Sequence, residues 1–242
     1  MDKIFDEPFK QAYDFSFNNK VAGVFDDMVT RSVPYYVEMQ RMMSELAADH
    51  CGADGVIYDL GCSTGATMIM MDQTVPQHIK FVGIDDSEPM LEKCKAKLDE
   101  MGMTRPYSLE VADLNSGNVP MKDASVVILC LTLQFIRPIV RERLLRSIQE
   151  QLRPGGVLIV IEKILAEETD FNRDFIKYYY NFKRRNQYSE LEISQKREAL
   201  ENVLIPYKLS ENITLLKEVG FRTVEVFFKW YNFSGFIAKK ES

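Results

Sequence analysis

Two glycines and the acidic residue before them carry the clearest chemical signal in this sequence. Residues 56 to 65 read VIYDLGCSTG, an apolar run that ends in D-x-G-x-x-x-G. Gly61 and Gly65 would allow a tight turn close to a ligand, and the first free amides of a following helix would point at it. The pattern predicts a strand, a turn and a helix start that form a nucleotide-sized site. On the glycines alone, an ordinary strand-to-helix turn explains the pattern equally well.

The spacing of the glycines separates this turn from a dinucleotide-binding turn. G-x-G-x-x-G places the glycines that cradle a pyrophosphate closer together than Gly61 and Gly65 are. The D-x-G-x-x-x-G turn instead resembles motif I of the class I S-adenosylmethionine-dependent enzymes. That resemblance implies S-adenosyl-L-methionine as the ligand.

Acidic residues follow two further predicted strands. Asp85 comes 24 positions after Gly61, which is close to the spacing at which an acid accepts hydrogen bonds from ribose hydroxyls; Asp86 follows it. Asp85 could instead cap the next helix, although Ser87 could take that role. After the third strand, Asp113 could bind an adenine amino group while Leu114 covers the ring. Agreement among three strand ends favours a cofactor site.

One arginine lies in an apolar helical pattern near the end of the chain. Ile193, Arg197 and Leu200 are spaced four and three residues apart, so Arg197 is predicted to face the core. A buried guanidinium stays charged and requires an anionic partner. From spacing alone, a structural pair with an Asp or Glu of the chain is the simpler explanation, and a bound carboxylate is the alternative. Lys196, four residues after Glu192, is predicted to form a surface pair with it.

The elements that would position these residues alternate between strand and helix patterns. Such alternation predicts an α/β fold with a parallel sheet covered on both faces, and the closing pair of apolar runs predicts an antiparallel hairpin. We therefore predict a Rossmann-like, class I methyltransferase fold with a seven-stranded, mainly parallel sheet. The expected strands are 56 to 60, 80 to 85, 107 to 111, 125 to 131, 157 to 162, 223 to 231 and 233 to 238.

We treat residues 1–242 as a single domain with two helical additions. Residues 1–50 have helical spacing and are predicted to form a cap over the site, with Ser32 as an N-cap before Pro34. Residues 164–206 exceed the length of a plain crossover and are predicted to form a helical insert over the active site. Ser189 to Glu192 forms a capping box in that insert.

Composition and charge narrow the function. The chain has a net charge of −6 and four cysteines without a C-x-x-C pair, so neither a broad nucleic-acid surface nor a structural metal site is expected. The basic run 183 to 185 is predicted to be a solvated face. The sequence shows neither a long apolar span nor the blocks of a signal peptide, so a cytoplasmic protein without membrane contact is expected.

Longer stretches resemble one family, the carboxy-S-adenosyl-L-methionine synthases. The resemblance runs through almost the whole chain, and the stretch ending at Arg197 is more specific than the glycine turn because ordinary class I methyltransferases do not share it. The stretches are 25 to 36 (FDDMVTRSVPYY), 58 to 63 (YDLGCS), 132 to 135 (TLQF), 188 to 197 (YSELEISQKR) and Asn232-Phe233.

The resemblance implies an unusual use of the cofactor. The family transfers carbon dioxide from prephenate to the sulfonium methyl group of S-adenosyl-L-methionine, giving carboxy-S-adenosyl-L-methionine and phenylpyruvate for modification of the tRNA wobble uridine. It also implies a homodimer. Direct tRNA binding is not expected because the chain is acidic, and a metal is not expected because the cysteines are far apart. Arg197 matches the carboxylate-binding arginine and is the expected catalytic residue. The expected cofactor contacts are Tyr36, Gly61, Cys62, Ser63, Asp85, Asp86, Asp113, Leu114, Cys130 and Arg197.

One position departs from the family pattern. Cys130 stands where the family has Asn before x-T-L-Q-F, and a thiol replaces an amide poorly as a hydrogen-bonding group. Only a backbone contact would survive there unchanged. Two other functions remain open at this point: a methyltransferase acting on a small molecule or a tRNA base, and a non-catalytic S-adenosylmethionine-binding protein.

Overall fold

A single twisted sheet forms the centre of the molecule. The computed structural model describes residues 4–5 and 15–241. Seven strands lie in the order β3-β2-β1-β4-β5-β7-β6, with β7 antiparallel to both of its neighbours and the others parallel. The predicted fold class is confirmed. The strands are β1 Val56–Leu60, β2 Lys80–Asp85, β3 Tyr107–Val111, β4 Ala124–Cys130, β5 Leu152–Lys163, β6 Thr223–Trp230 and β7 Phe233–Lys239.

Helices cover both faces of this sheet because side chains alternate along each strand. Ile57 faces a core shared with α2 to α4, whereas Tyr58 faces the core shared with α5 and α8. The helices are α1 Asn19–Ser32, α2 Tyr36–His50, α3 Ala66–Asp72, α4 Glu88–Glu100, α5 Pro138–Gln151, α6 Thr169–Arg185, α7 Glu190–Leu200 and α8 Leu209–Glu218.

The first helix ends differently from the prediction. Ser32 is the last residue of α1, and its hydroxyl donates to the carbonyl of Met28 one turn earlier. It therefore cannot cap the next helix, which begins at Tyr36 after Tyr35 in a left-handed conformation with φ of 53°. The predicted N-cap was wrong because the hydroxyl found a partner in the preceding helix. The rest of the predicted cap before residue 15, apart from residues 4 and 5, lies outside the described residues.

The fifth strand is longer than expected. It begins at Leu152 rather than Val157, so Pro154 and Gly155 lie within it. The pairing of β4 with β5 shifts register between Ala124 and Val126, and this irregularity accommodates the proline. By contrast, the capping box predicted at Ser189 is present, with Glu192 closing it.

The sheet order fixes where a ligand can bind. The chain moves outward from β1 to β3 on one side and then returns to β4 on the other side of β1. Loops at the carboxyl ends of β1 and β4 therefore diverge and leave a crevice, which is the usual ligand site of open α/β sheets.

Candidate functional site

The glycine turn after β1 is held in place by the end of β2. Gly61 and Gly65 have φ of +78° and +79°, a left-handed conformation that other residues rarely adopt. The amides of Gly61 and Cys62 donate to the carbonyl of Ile84 at 2.7 and 3.0 Å. A side chain at Gly61 would meet Thr132 at 2.5 Å, so the turn also needs glycine for close packing.

A large cavity opens beside this turn. Its volume is about 910 Å³, and its walls come from α1, α2, the carboxyl ends of β1 to β5, α6 and the segment from α7 to Pro206. The structure brings all the predicted site residues to this cavity: Tyr36, Gly61, Cys62, Ser63, Asp85, Asp86, Asp113, Leu114, Cys130 and Arg197. The space is ample for a nucleoside together with a second small molecule, since ligand pockets typically measure about 300–1,000 Å³.

Asp85 organises the acidic end of the cavity. Its Oδ2 accepts a hydrogen bond from the Ser63 amide at 2.9 Å, and its Oδ1 accepts one from the Ser87 amide at 3.0 Å. Ser87, not Asp85, caps α4 through its hydroxyl. Burial raises the pKa of Asp85. Its carboxylate thus braces the glycine turn, and its remaining lone pairs are available to ligand hydroxyls.

Asp86 and Asp113 place two more carboxylates on the same wall. The pKa of Asp86 is raised mainly by burial and to a smaller extent by the charge of Asp113. Asp113 accepts a hydrogen bond from the Asn115 amide at 2.8 Å, which orients its carboxylate, and Leu114 beside it is buried. Several acceptors close together suit a ligand rich in hydroxyl and amino donors, such as the nucleoside half of S-adenosylmethionine.

Asp59, which the sequence prediction left outside the site, lies beneath the turn. It is 1% exposed, and neither carboxylate oxygen has a hydrogen-bond partner among the described residues. Burial and the nearby charge of Asp85 raise its pKa to about 7. Its place as the first residue of D-x-G-x-x-x-G was the available signal. Because no hydrogen bond from the described residues stabilises its ionised form, burial and the charge of Asp85 determine whether Asp59 is protonated.

Tyr36 and Cys130 line the wall where β4 ends. The Cys130 thiol accepts a hydrogen bond from Nε2 of Gln40 at 3.6 Å, and burial raises the pKa of this thiol. Burial likewise raises the pKa of Tyr36, so both groups stay neutral at physiological pH. The Cys130 side chain is therefore occupied within the protein, consistent with a backbone role toward a ligand.

The end of the cavity formed by β5, α6 and α7 is basic. Lys163, Lys183, Lys196 and Arg197 all line it. Arg197 is exposed on the cavity wall, whereas Lys196 is 5% exposed, and its ammonium is 3.4 Å from the Ser32 hydroxyl and 3.5 Å from that of Tyr188.

Two sequence interpretations on this wall were wrong. The buried face of α7 runs through Ile193 and Lys196, not through Arg197, because the helix packs with Lys196 against Ser32 and Tyr188. Glu192 is buried with Lys196 and accepts from the Ser189 amide, so the predicted surface pair does not exist.

The short basic run at the end of α6 is not uniformly solvated. Lys183 is 4% exposed and faces the cavity, whereas Arg184 and Arg185 are exposed as predicted. Helical geometry turns successive residues by about 100°, so adjacent side chains point to different surroundings. The missed signal was the tyrosine pattern earlier in α6, which places Tyr179 and Lys183 four residues apart on one face.

Neither a metal centre nor a membrane span is found in the described part of the chain. Among residues 4–5 and 15–241, no three His, Cys, Asp or Glu side chains are grouped to hold a metal ion. No helix in the same ranges is long and apolar enough to cross a membrane. The four cysteines are all free thiols.

Comparison with known proteins identifies the family. Residues 57–156 match the methyltransferase domain family. Human N-acetylserotonin methyltransferase, solved with S-adenosylmethionine, superposes with a TM-score of 0.64 at 15% identity, covering 93% of this chain and 56% of that one. This likeness concerns the fold, which is that of S-adenosylmethionine-dependent methyltransferases.

Two curated relatives are far closer in sequence. The carboxy-S-adenosyl-L-methionine synthase of Methylococcus capsulatus is 53% identical over 97% of this chain and 99% of its own length. That of Desulfotalea psychrophila is 48% identical over 99% of this chain and 97% of its own length. The chain belongs to the carboxy-S-adenosyl-L-methionine synthase family, a family of transferases built on the class I methyltransferase fold.

Proposed function

We propose that this protein carboxylates the sulfonium methyl group of S-adenosyl-L-methionine with carbon dioxide released from prephenate. The products are carboxy-S-adenosyl-L-methionine and phenylpyruvate. The observation that carries the proposal is the division of one cavity into an acidic end at Asp85 and Asp113 and a basic end at Lys183 and Arg197. The first end suits a nucleoside, and the second suits carboxylates.

The reaction balances without any further reagent. Loss of the ring carboxylate of prephenate as carbon dioxide expels the ring hydroxyl as hydroxide and leaves the aromatic ring of phenylpyruvate. The sulfonium acidifies its methyl group, and the hydroxide takes one methyl proton to give water. The methyl carbon then forms a new bond to carbon dioxide. No methyl group leaves, and no protein base is needed.

The residues of the chain bind and orient both reactants. We assign the nucleoside to Asp85, Asp86 and Asp113, with Leu114 against the adenine ring. Arg197 is assigned to the new carboxylate, because its planar guanidinium can donate two parallel hydrogen bonds to such a group. Placing both reactants in one cavity keeps the released carbon dioxide beside the methyl carbon and so favours capture over escape.

A single-turnover experiment tests the proposal. The protein is incubated with S-adenosyl-L-methionine and prephenate, and the nucleosides are separated and weighed by mass spectrometry. We expect a species heavier than S-adenosyl-L-methionine by one carboxyl group, formed together with phenylpyruvate. Accumulation of S-adenosylhomocysteine on adding a small molecule or tRNA would instead support an ordinary methyltransferase. Binding of S-adenosylmethionine without any product would support a non-catalytic binding protein.

We further propose the cellular setting that the family resemblance implies. The product would be handed to a separate enzyme that modifies the tRNA wobble uridine in the cytoplasm, and this chain would act as a homodimer. The exposed aromatic side chains of Phe171, Tyr178 and Tyr231 offer an apolar surface for self-association. Light scattering after gel filtration tests the dimer: Phe171→Ser with Tyr178→Ser should yield a monomer that still binds S-adenosylmethionine.

A further inference from the structure

Lys163 and Lys183 bring two ammonium groups to one aromatic ring inside the cavity. The Nζ of Lys163 lies 5.3 Å from the ring centroid of Tyr179, and that of Lys183 lies 4.8 Å from the same centroid. Both side chains line the cavity together with Tyr179. The sequence resemblance assigned neither lysine, and neither belongs to the acidic end of the site.

The ring that gathers these ammonium groups is held rigidly. The Tyr179 hydroxyl donates to the carbonyl of Ser32 at 3.0 Å, and its ring meets that of Phe233 edge-on at 5.4 Å. Lys163 ends β5, where it pairs with Phe233 of β7, and its amide donates to Oε1 of Gln134 at 2.9 Å. Sheet pairing therefore fixes the backbone of Lys163, and packing fixes the Tyr179 ring beside both ammonium groups, before a ligand arrives.

The positive charges of Lys163 and Lys183 are not balanced by a carboxylate among the described residues. No carboxylate lies within ion-pair distance of either lysine in residues 4–5 and 15–241. Burial lowers the pKa of Lys163, and burial followed by the charges of Lys196 and Lys163 lowers that of Lys183. Positively charged ammonium groups that lie close together on a buried wall repel each other and destabilise the ligand-free protein. A negatively charged ligand removes that cost on binding.

We infer that Lys163, Lys183 and the ring of Tyr179 form the subsite for the carbon dioxide donor, an aromatic-sized dicarboxylate. The ammonium groups bind its carboxylates, and the Tyr179 ring packs against its six-membered ring. This inference rests on the proposed function, under which the dicarboxylate is prephenate. Arg197 then serves the product carboxylate, so the cavity separates donor recognition from product recognition.

Kinetics of Lys163→Met and Lys183→Met test this subsite. Methionine keeps the length and apolar packing of the stem and removes only the charge. We expect KM for prephenate to rise by at least tenfold in each variant, because each loses a charge-assisted hydrogen bond to the ligand. The affinity for S-adenosyl-L-methionine, measured by calorimetry, should stay within about twofold of wild type. Lys177→Met is the matched control because Lys177 is exposed on the same helix and outside the cavity.

The outcomes separate this inference from the proposed function. Unchanged KM for prephenate in both variants, with wild-type turnover intact, would overturn the subsite and leave the proposed function standing. Absence of turnover by the wild type with prephenate, while direct binding of prephenate still depends on both lysines, would overturn the reaction and leave a dicarboxylate subsite. Thermal melting without ligand shows whether the variants are folded. The Lys183→Met variant should be as stable as wild type or more stable, because one of several buried positive charges is removed.

Discussion

Arg197→Leu separates product recognition from cofactor recognition more cleanly than any other substitution in the cavity. Arg197 is exposed on the cavity wall, and its guanidinium has neither an ion pair nor a hydrogen bond within residues 4–5 and 15–241. The substitution should therefore leave the melting temperature of the ligand-free protein within about 1 °C, because surface changes typically alter stability by less than roughly 0.5 kcal/mol.

The same substitution should weaken binding of carboxy-S-adenosyl-L-methionine much more than binding of S-adenosyl-L-methionine. A charge-assisted bond between a guanidinium and a carboxylate contributes about 1.5–3 kcal/mol, so the affinity for carboxy-S-adenosyl-L-methionine should fall by about tenfold to a hundredfold. S-adenosyl-L-methionine lacks that carboxylate, and its affinity should change by less than about threefold. Titration calorimetry with both ligands measures the difference directly.

A matched control excludes a general loss of positive charge. Arg173→Leu removes an exposed arginine of α6 that is paired with Asp170 at 3.6 Å and lies outside the cavity. Its affinities for both ligands should equal those of wild type. If Arg197→Leu weakened both ligands equally, Arg197 would act on the whole site, and its assignment to the product carboxylate would be refuted.

Three further predictions concern the acidic end of the cavity and its surroundings. Asp85→Ala should lower S-adenosyl-L-methionine affinity by at least about tenfold, because the glycine turn loses its brace as well as a ligand acceptor; unchanged calorimetric affinity would contradict this. Asp59 has a folded pKa of about 7, above its unfolded value near 4, so its contribution to the free energy of unfolding is lost as pH rises between these values. Asp59→Asn should therefore gain stability relative to wild type between about pH 4 and pH 8, by on the order of 4 kcal/mol for a pKa raised from near 4 to about 7, in urea titrations; a constant difference would refute the shift. Binding of tRNA at physiological salt should be undetectable by fluorescence anisotropy below micromolar protein, because a chain of net charge −6 offers few phosphate contacts.

The acidic half of the site could be predicted from sequence because strand ends are local features. The turn at Gly61 and the acid at Asp85 follow apolar runs whose period and length define strands, and parallel strands bring their carboxyl ends to one edge. Two features were missed: Asp59 lies buried beneath the turn, and both Asp85 oxygens also hold backbone amides. That arrangement depends on the relative positions of two strands, which spacing along the chain does not specify.

The basic half could not be predicted because it depends on tertiary packing. Lys183 reads as part of a charged run, and its burial follows from how α6 lies against Tyr188 and the end of β5. On α7 the helix ends at Leu200, and its rotation places Lys196 inward and Arg197 on the cavity wall. A helical period gives the relative angles of side chains but not which of two neighbouring surfaces the helix will face.

The origin of the transferred carboxylate tests the central claim most directly. Prephenate carrying carbon-13 in its ring carboxylate is supplied with unlabelled S-adenosyl-L-methionine and unlabelled bicarbonate, and the nucleoside product is analysed by mass spectrometry. We predict that carboxy-S-adenosyl-L-methionine forms and carries the label in its new carboxylate. A product that is unlabelled, or an unlabelled S-adenosylhomocysteine formed in its place, would contradict the proposed reaction.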